Sequence, residues 1–186
     1  MKRQRLKVGI VGLQPGRSWA ARAHIPALRA LSEIFEIAGV ANTSRASAEE
    51  AAAATGIPRA FADVAELIAA PEVDIVTVAV KVPHHLEIVK AAIEAGKHVY
   101  CEKTMIKGLA ETREVFDAAQ KRPQQIFQTG FQYRTSPLFE AAAALILNGD
   151  IGQVTAANCQ WNRNGNWRRP VLDPKWERQV NWRMYR

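Results

Sequence analysis

Leu6-Lys7-Val8-Gly9-Ile10-Val11-Gly12-Leu13-Gln14-Pro15-Gly16-Arg17-Ser18 is the stretch on which the fold turns: a short apolar run, a glycine-bearing loop, then the start of an Ala-rich segment. A strand that alternates apolar and polar residues faces water on one side. A run apolar throughout suits a parallel strand covered on both faces. Glycines at 12 and 16 let the chain turn sharply between that strand and a following helix.

The same unit repeats outward along the chain. Strands are predicted at Leu6–Leu13, Phe35–Ala41, Asp74–Val80, His98–Cys101 and Gln125–Thr129. Between them, helices are predicted over Ser18–Leu31, Ser47–Thr55, Asp63–Ala69, His84–Ala95 and Ala110–Lys121. Ser47 with Glu50 reads as a capping box and Asp63 with Glu66 as a second, while Gly56 and Gly96 sit where helices should end. Pro26 conflicts with the first helix and should kink it or mark a late start. Strand–helix alternation at this spacing predicts an α/β fold, a Rossmann-type doubly wound parallel sheet. That domain is expected over 1–130. Residues 131–186 are expected to hold a connecting helix, Ser136–Asn148, and the incomplete start of an α+β domain, opening with a strand at Gln153–Trp161.

A doubly wound sheet binds ligands at the carboxyl ends of its strands. After the first strand, Gly12, Gln14, Pro15, Gly16, Arg17 and Ser18 form a loop that can wrap a diphosphate at a helix N-terminus, although Gln14 replaces the middle glycine of G-x-G-x-x-G. An ordinary strand–turn–helix is the rival reading. After the second strand, Asn42, Thr43, Ser44 and Arg45 stand where NAD sites present a carboxylate to the ribose. Hydroxyls and a guanidinium suit the extra phosphate of NADP, so NADP is the preferred cofactor and NAD the alternative. Val80 ends the third strand, and His85 begins a helix beside the cofactor edge. Glu102-Lys103 follows the fourth strand, where a lysine can orient a substrate hydroxyl and help move a proton. A surface salt bridge between the two is the rival there. His24, His85 and His98 each read as structural or cofactor-adjacent rather than catalytic.

Val8–Leu28 with His24-Ile25-Pro26-Ala27-Leu28, Val73–Val80, the run from His85 to Glu102-Lys103, and Gly130-Phe131-Gln132-Tyr133-Arg134 together resemble the Gfo/Idh/MocA family of oxidoreductases. The resemblance implies a hydride transfer between nicotinamide and a hydroxyl or carbonyl carbon of a sugar or cyclitol. It makes Lys103 the catalytic lysine of a Glu-Lys-Pro motif, with Thr104 in place of a proline that often adopts a cis bond. It also places Gln132, Trp182 and Arg183 near the cofactor and gives the family's second domain a dimer face and an Asp/His-bearing helix. No such helix precedes Arg186, so these residues are expected to bind cofactor and turn over poorly. Gly16-Arg17-Ser18-Trp19-Ala20 resembles a branch that includes a fungal galactose-regulon repressor, which leaves a non-catalytic NADP sensor as the rival class. Glu102-Lys103 and the tail from Gln160 to Pro170 resemble bacterial oxidoreductases instead.

Charge and composition narrow the classes further. Hydrophobic residues make up 48% and charged ones 23%, a globular balance. Of the net charge of +7, five units lie in residues 151–186, together with Trp161, Trp167, Trp176 and Trp182. Interleaved Trp and Arg can stack bases and neutralise phosphates. The reading preferred here is that they line a substrate cleft, with no nucleic-acid partner. Cys101 and Cys159 lack metal-ligand or disulfide spacing, and no metal is expected. No apolar run approaches about 18 residues, and the basic N-terminus leads into a strand rather than a signal peptide, so a cytoplasmic protein without a membrane partner is expected.

Overall fold

The computed structural model describes residues 4–160, 162 and 168–184, the last range without the Arg183 side chain. Strands β1 (Leu6–Val11), β2 (Phe35–Ala41), β3 (Ile75–Val78), β4 (His98–Glu102) and β5 (Phe127–Gly130) form one parallel sheet in the order β2-β1-β3-β4-β5. Beyond β2, Ala60 makes a single parallel bridge to Val40. That bridge occupies the outer position of the 3-2-1-4-5-6 order of a Rossmann sheet. Pro58, with no N–H to donate, sits just before it and helps keep this edge from lengthening into a strand.

Side chains along β1 and β2 part to opposite faces, as the two-residue period of a strand requires. Ile10 and Val40 pack with Ile25 of α1 (Ile25–Ala30) and with Ala51 and Ala52 of α2 (Arg45–Thr55). Val11 and Ala41 lie in the opposite core with Leu67 and Ile68 of α3 (Val64–Ala69), Val89 and Ile93 of α4 (His85–Glu94), and Val115 of α5 (Leu109–Gln120). Both faces are therefore covered, and the fold is the doubly wound α/β sheet expected. On β4 the division is sharper: Val99 and Cys101 enter the apolar core, while Tyr100 and Glu102 fall on the other face.

Several local expectations change. β1 stops at Val11, short of Leu13, because the chain leaves the sheet at Gly12 in a left-handed conformation (φ +92°), and β3 stops at Val78, short of Val80. α2 is capped by Ser44, whose hydroxyl accepts the Ser47 N–H at 3.3 Å; Ser47 is inside the helix and its box with Glu50 does not form. Asp63 does cap α3, accepting the Glu66 N–H at 2.7 Å. The first helix begins as a π-helical turn, Ala20–His24, and becomes α-helical at Ile25, with Pro26 in the first α-helical turn.

The chain divides into compact units Met1–Gly130 and Phe131–Arg186. The second holds α6 (Pro137–Leu147), α7 (Glu177–Val180) and short 3-10 turns. Its loop at Arg169 is fastened by Asn181, whose side-chain oxygen accepts the Arg169 N–H at 2.6 Å and whose amide donates to the Arg169 carbonyl at 2.9 Å. The strand expected at Gln153–Trp161 is absent over 153–160, and Trp161 lies outside the described residues. A strand exists only by pairing, and no described neighbour offers 153–160 a ladder. Among the described residues no helix is long and apolar enough to cross a membrane.

Candidate functional site

Within the first unit, the carboxyl ends of β1, β2, β3 and β4 bring four loops together. A Cβ at Gly12 would lie 2.6 Å from Val80 Cγ1 and 3.0 Å from the Ala79 carbonyl carbon and oxygen. The loops after β1 and β3 therefore touch directly, at the point where successive strands run off to either side of β1. Gly16 (φ +69°) has nothing within 4 Å of its Cβ position, so its backbone is open to an approaching ligand. A loop that admits no methyl at one glycine and is bare at the next fits a diphosphate, which needs backbone rather than side chains around it.

The loop is held by its own polar groups. Ser18 Oγ accepts the N–H groups of Gln14 (3.0 Å) and Ala21 (3.2 Å), leaving its own proton to donate. The Gln14 carbonyl accepts from Arg17 N (3.2 Å) and Ser18 N (3.0 Å). Gln14 and Arg17 are exposed, Pro15 is half-buried, and Arg17 makes no ion pair among the described residues. Asn42, at the end of β2, fastens the loop from the other side. Its Oδ1 accepts the Leu13 N–H at 2.8 Å, and its amide donates to the carbonyls of Leu13 and Ser47, both at 2.9 Å. An aspartate could not make the last two bonds. Sequence reasoning passed over this role, although an amide where a carboxylate is expected was the available signal.

Thr43 is exposed beside Ser44, the α2 cap. Arg45 follows at the first helical position, pairing with Glu49 at 2.9 Å on the exposed face, which raises its guanidinium further above its ordinary value. Such an exposed pair stabilises little and exchanges readily for a better anion.

Glu102 and Lys103 do not form the surface salt bridge that was the rival reading. Glu102 is buried, and its Oε1 lies 2.9 Å from His24 Nε2, in the π-helical turn that follows the phosphate-type loop. Its Oε2 accepts the Lys103 backbone N–H at 3.3 Å. The Tyr100 ring stands edge-on to His24 at 5.4 Å, its phenol held above the usual range by burial and then by the Glu102 charge. Gly130 closes this pocket: a Cβ there would lie 2.7 Å from the Tyr100 hydroxyl. Lys103 is exposed, makes no ion pair among the described residues, and its peptide bond to Thr104 is cis.

His85 is fully buried, with Nδ1 2.8 Å from the Met105 carbonyl oxygen and Nε2 3.0 Å from that of Val80. It braces the loops after β3 and β4 against each other. Cys101, 3.4 Å from the same ring, has its thiol pushed up to about 12 by burial and then by Glu102. At pH 8 Cys101 should therefore resist thiol reagents in the folded chain while exposed Cys159 reacts, counted by mass spectrometry as one modification. Two rapid modifications would show that the core around Cys101 opens easily.

Gln132, in a 3-10 turn, and Trp182, half-buried beside Asn181, belong to the second unit; the Arg183 side chain lies outside the described residues. No cluster of three or more His, Cys, Asp or Glu able to hold a metal occurs among the described residues.

Known proteins resemble this chain over most of its length. An oxidoreductase of Synechocystis is 33% identical over 174 residues, covering 89% of this chain and 45% of the relative. A levoglucosan dehydrogenase solved with NADH and levoglucosan superposes with a TM-score of 0.74 at 29% identity, over 81% of this chain and 41% of that one. A Gal80p structure from Saccharomyces cerevisiae gives a TM-score of 0.77 at 25% identity, over 94% and 47%. The chain thus spans less than half the length of these relatives. The family model for oxidoreductases with an NAD-binding Rossmann fold matches residues 6–131. The chain belongs to the Gfo/Idh/MocA oxidoreductase family.

Proposed function

We propose that this chain is the coenzyme-binding part of an oxidoreductase that prefers NADP and acts on a hydroxyl or carbonyl carbon of a sugar or cyclitol. The observation that carries the proposal is Lys103: its acidic neighbour is turned inward to His24, so its ammonium group is left for a substrate oxygen. Hydride transfer is the chemistry that a bound nicotinamide would supply. The loop from Gly12 to Ser18 would hold the diphosphate through the Gly16 N–H, which the loop's internal bonds leave unused, and the Ser18 hydroxyl, aided by Arg17. Val80 borders the same crevice, and His85 holds its walls in place. Lys103 binds the reacting oxygen of the substrate and gives or takes its proton at Nζ. Gln132, Trp182 and Arg183 are assigned to the nicotinamide and substrate side by family resemblance, and the second unit to the start of the substrate domain.

The NADP preference rests on Asn42, Ser44 and Arg45. No carboxylate stands at the end of β2 to repel a 2′-phosphate, and Arg45 can leave an exposed partner to meet one. Calorimetric titration should give tighter binding of NADPH than of NADH, and Arg45→Ala should weaken NADPH binding by about tenfold while sparing NADH. Tighter NADH binding by the parent chain overturns the preference without touching the dinucleotide site.

A second reading, a coenzyme-responsive regulator without catalysis, has the likeness to Gal80p in its favour. Lys103 counts against it, since a sensor needs no ammonium group placed beside the coenzyme. Oxidation of any member of a polyol panel with NADP separates the two.

A further inference from the structure

His24 and Glu102 are 78 positions apart in sequence, yet their contact joins the helix leaving the phosphate-type loop to the strand end that carries Lys103. His24 is nine-tenths buried in its side chain, and so is Glu102. Nε2 donates to a carboxylate oxygen, which can only accept; Nδ1, also buried, has no partner among the described residues. The ring thus makes one polar bond, and that bond goes to Glu102. The π-helical turn adds a residue to the ordinary helical repeat, which changes the direction in which His24 leaves the helix. Glu102 then uses its other oxygen for the Lys103 backbone N–H, so the carboxylate is fixed at both ends.

We infer that His24 is a positioning residue for Lys103, acting through Glu102, and that it fixes the lysine against the coenzyme bound by the loop from Gly12 to Ser18. The inference rests on the coenzyme and lysine roles proposed above. Its chemistry is directional. Nε2 holds Oε1, Oε2 holds the Lys103 backbone, and the backbone sets where the exposed ammonium group can reach. Tyr100, edge-on to the ring, limits its rotation, and Gly130 leaves room for the tyrosine hydroxyl.

The test uses two amides differing by one methylene. In His24→Gln the amide nitrogen reaches as far as Nε2 and can donate to Glu102; in His24→Asn it stops one bond short. Acetylation of Lys103 by acetic anhydride, followed by mass spectrometry with and without saturating NADPH, reports whether the bound coenzyme shields the lysine. The parent chain and His24→Gln should show shielding. His24→Asn should lose it while its NADPH affinity stays within about threefold of the parent. Where turnover is measured, the Asn variant should lose about a hundredfold in kcat, the scale of an ångström misplacement. Equal shielding in the parent and His24→Asn overturns the positioning role alone, as does loss of shielding in both variants, which would mark the ring as packing only. Failure of the parent chain to take up either pyridine coenzyme, or uptake without shielding, overturns the function proposed above and this inference with it. Should His24→Asn fail to fold, Glu102→Asp shortens the same link from the other side, and retained shielding there overturns the inference equally.

Discussion

Gly12→Ala should abolish measurable uptake of either pyridine coenzyme and destabilise the first unit by about 2–4 kcal/mol, combining backbone strain with overpacking. Both causes act at one atom. The backbone is at φ +92°, where a Cβ is strained whatever surrounds it, and that Cβ would lie 3.0 Å from the Ala79 carbonyl group and 2.6 Å from Val80 Cγ1. Val80 can rotate away; the Ala79 backbone cannot move without shifting the end of β3. Relief therefore requires the β1 and β3 loops to separate, and they are the two walls that would hold the diphosphate. Gly16→Ala provides the contrast. Its φ of +69° is also left-handed, but nothing lies within 4 Å, so only the intrinsic cost of about 1 kcal/mol applies. Urea midpoints for the two variants and calorimetry with NADPH check the pair. Unimpaired coenzyme binding by Gly12→Ala would refute the close approach of the two loops.

How much of this was legible beforehand depends on whether the cause was local. β2 matches its sequence reading at Phe35–Ala41, because an apolar run bounded by a turn needs no tertiary information. β1 was overextended through Leu13, since apolarity continues past the point where Gly12 breaks the backbone geometry. The cap of α2 was misassigned for a similar reason. Ser44 and Ser47 both offer hydroxyls, and what separates them is the backbone: Ser44 is extended (φ −148°, ψ 154°) and accepts the Ser47 N–H, while Ser47 is already helical. The strand expected at 153–160 had suitable residues and no partner, and pairing is a property of the whole sheet. Within the site, the glycine loop and Lys103 stood out by residue type and by place after a strand. The His24–Glu102 bond did not. It depends on a π-helical turn and on strand order, and neither leaves a periodic trace in the sequence. Reading Glu102 with its neighbour Lys103 was the natural local pairing, and the fold overrides it by turning the carboxylate into the protein.

Lys103→Met is the substitution expected to cost most in chemistry and least in folding. Methionine keeps the unbranched stem and loses only the ammonium group. Because Lys103 is exposed and makes no ion pair among the described residues, nothing buried is left unsatisfied. Stability should move by less than about 0.5 kcal/mol, as for a surface change. Where the parent's oxidation of a polyol with NADP is measurable, it should fall by about 10²–10⁴-fold, the usual contribution of a placed acid–base group. NADPH affinity should stay near the parent value, since the diphosphate is held elsewhere, around Gly12 and Gly16. Lys103→Arg sharpens the test: a guanidinium keeps the charge but does not release its proton in this pH range, so a charge-only role would be rescued and proton transfer would not. Parent-like turnover in Lys103→Met would move the acid–base role to another group. Rescue by arginine would reduce Lys103 to an electrostatic anchor. Activity lost in both, with coenzyme binding intact, is the result that a proton passing through Nζ demands.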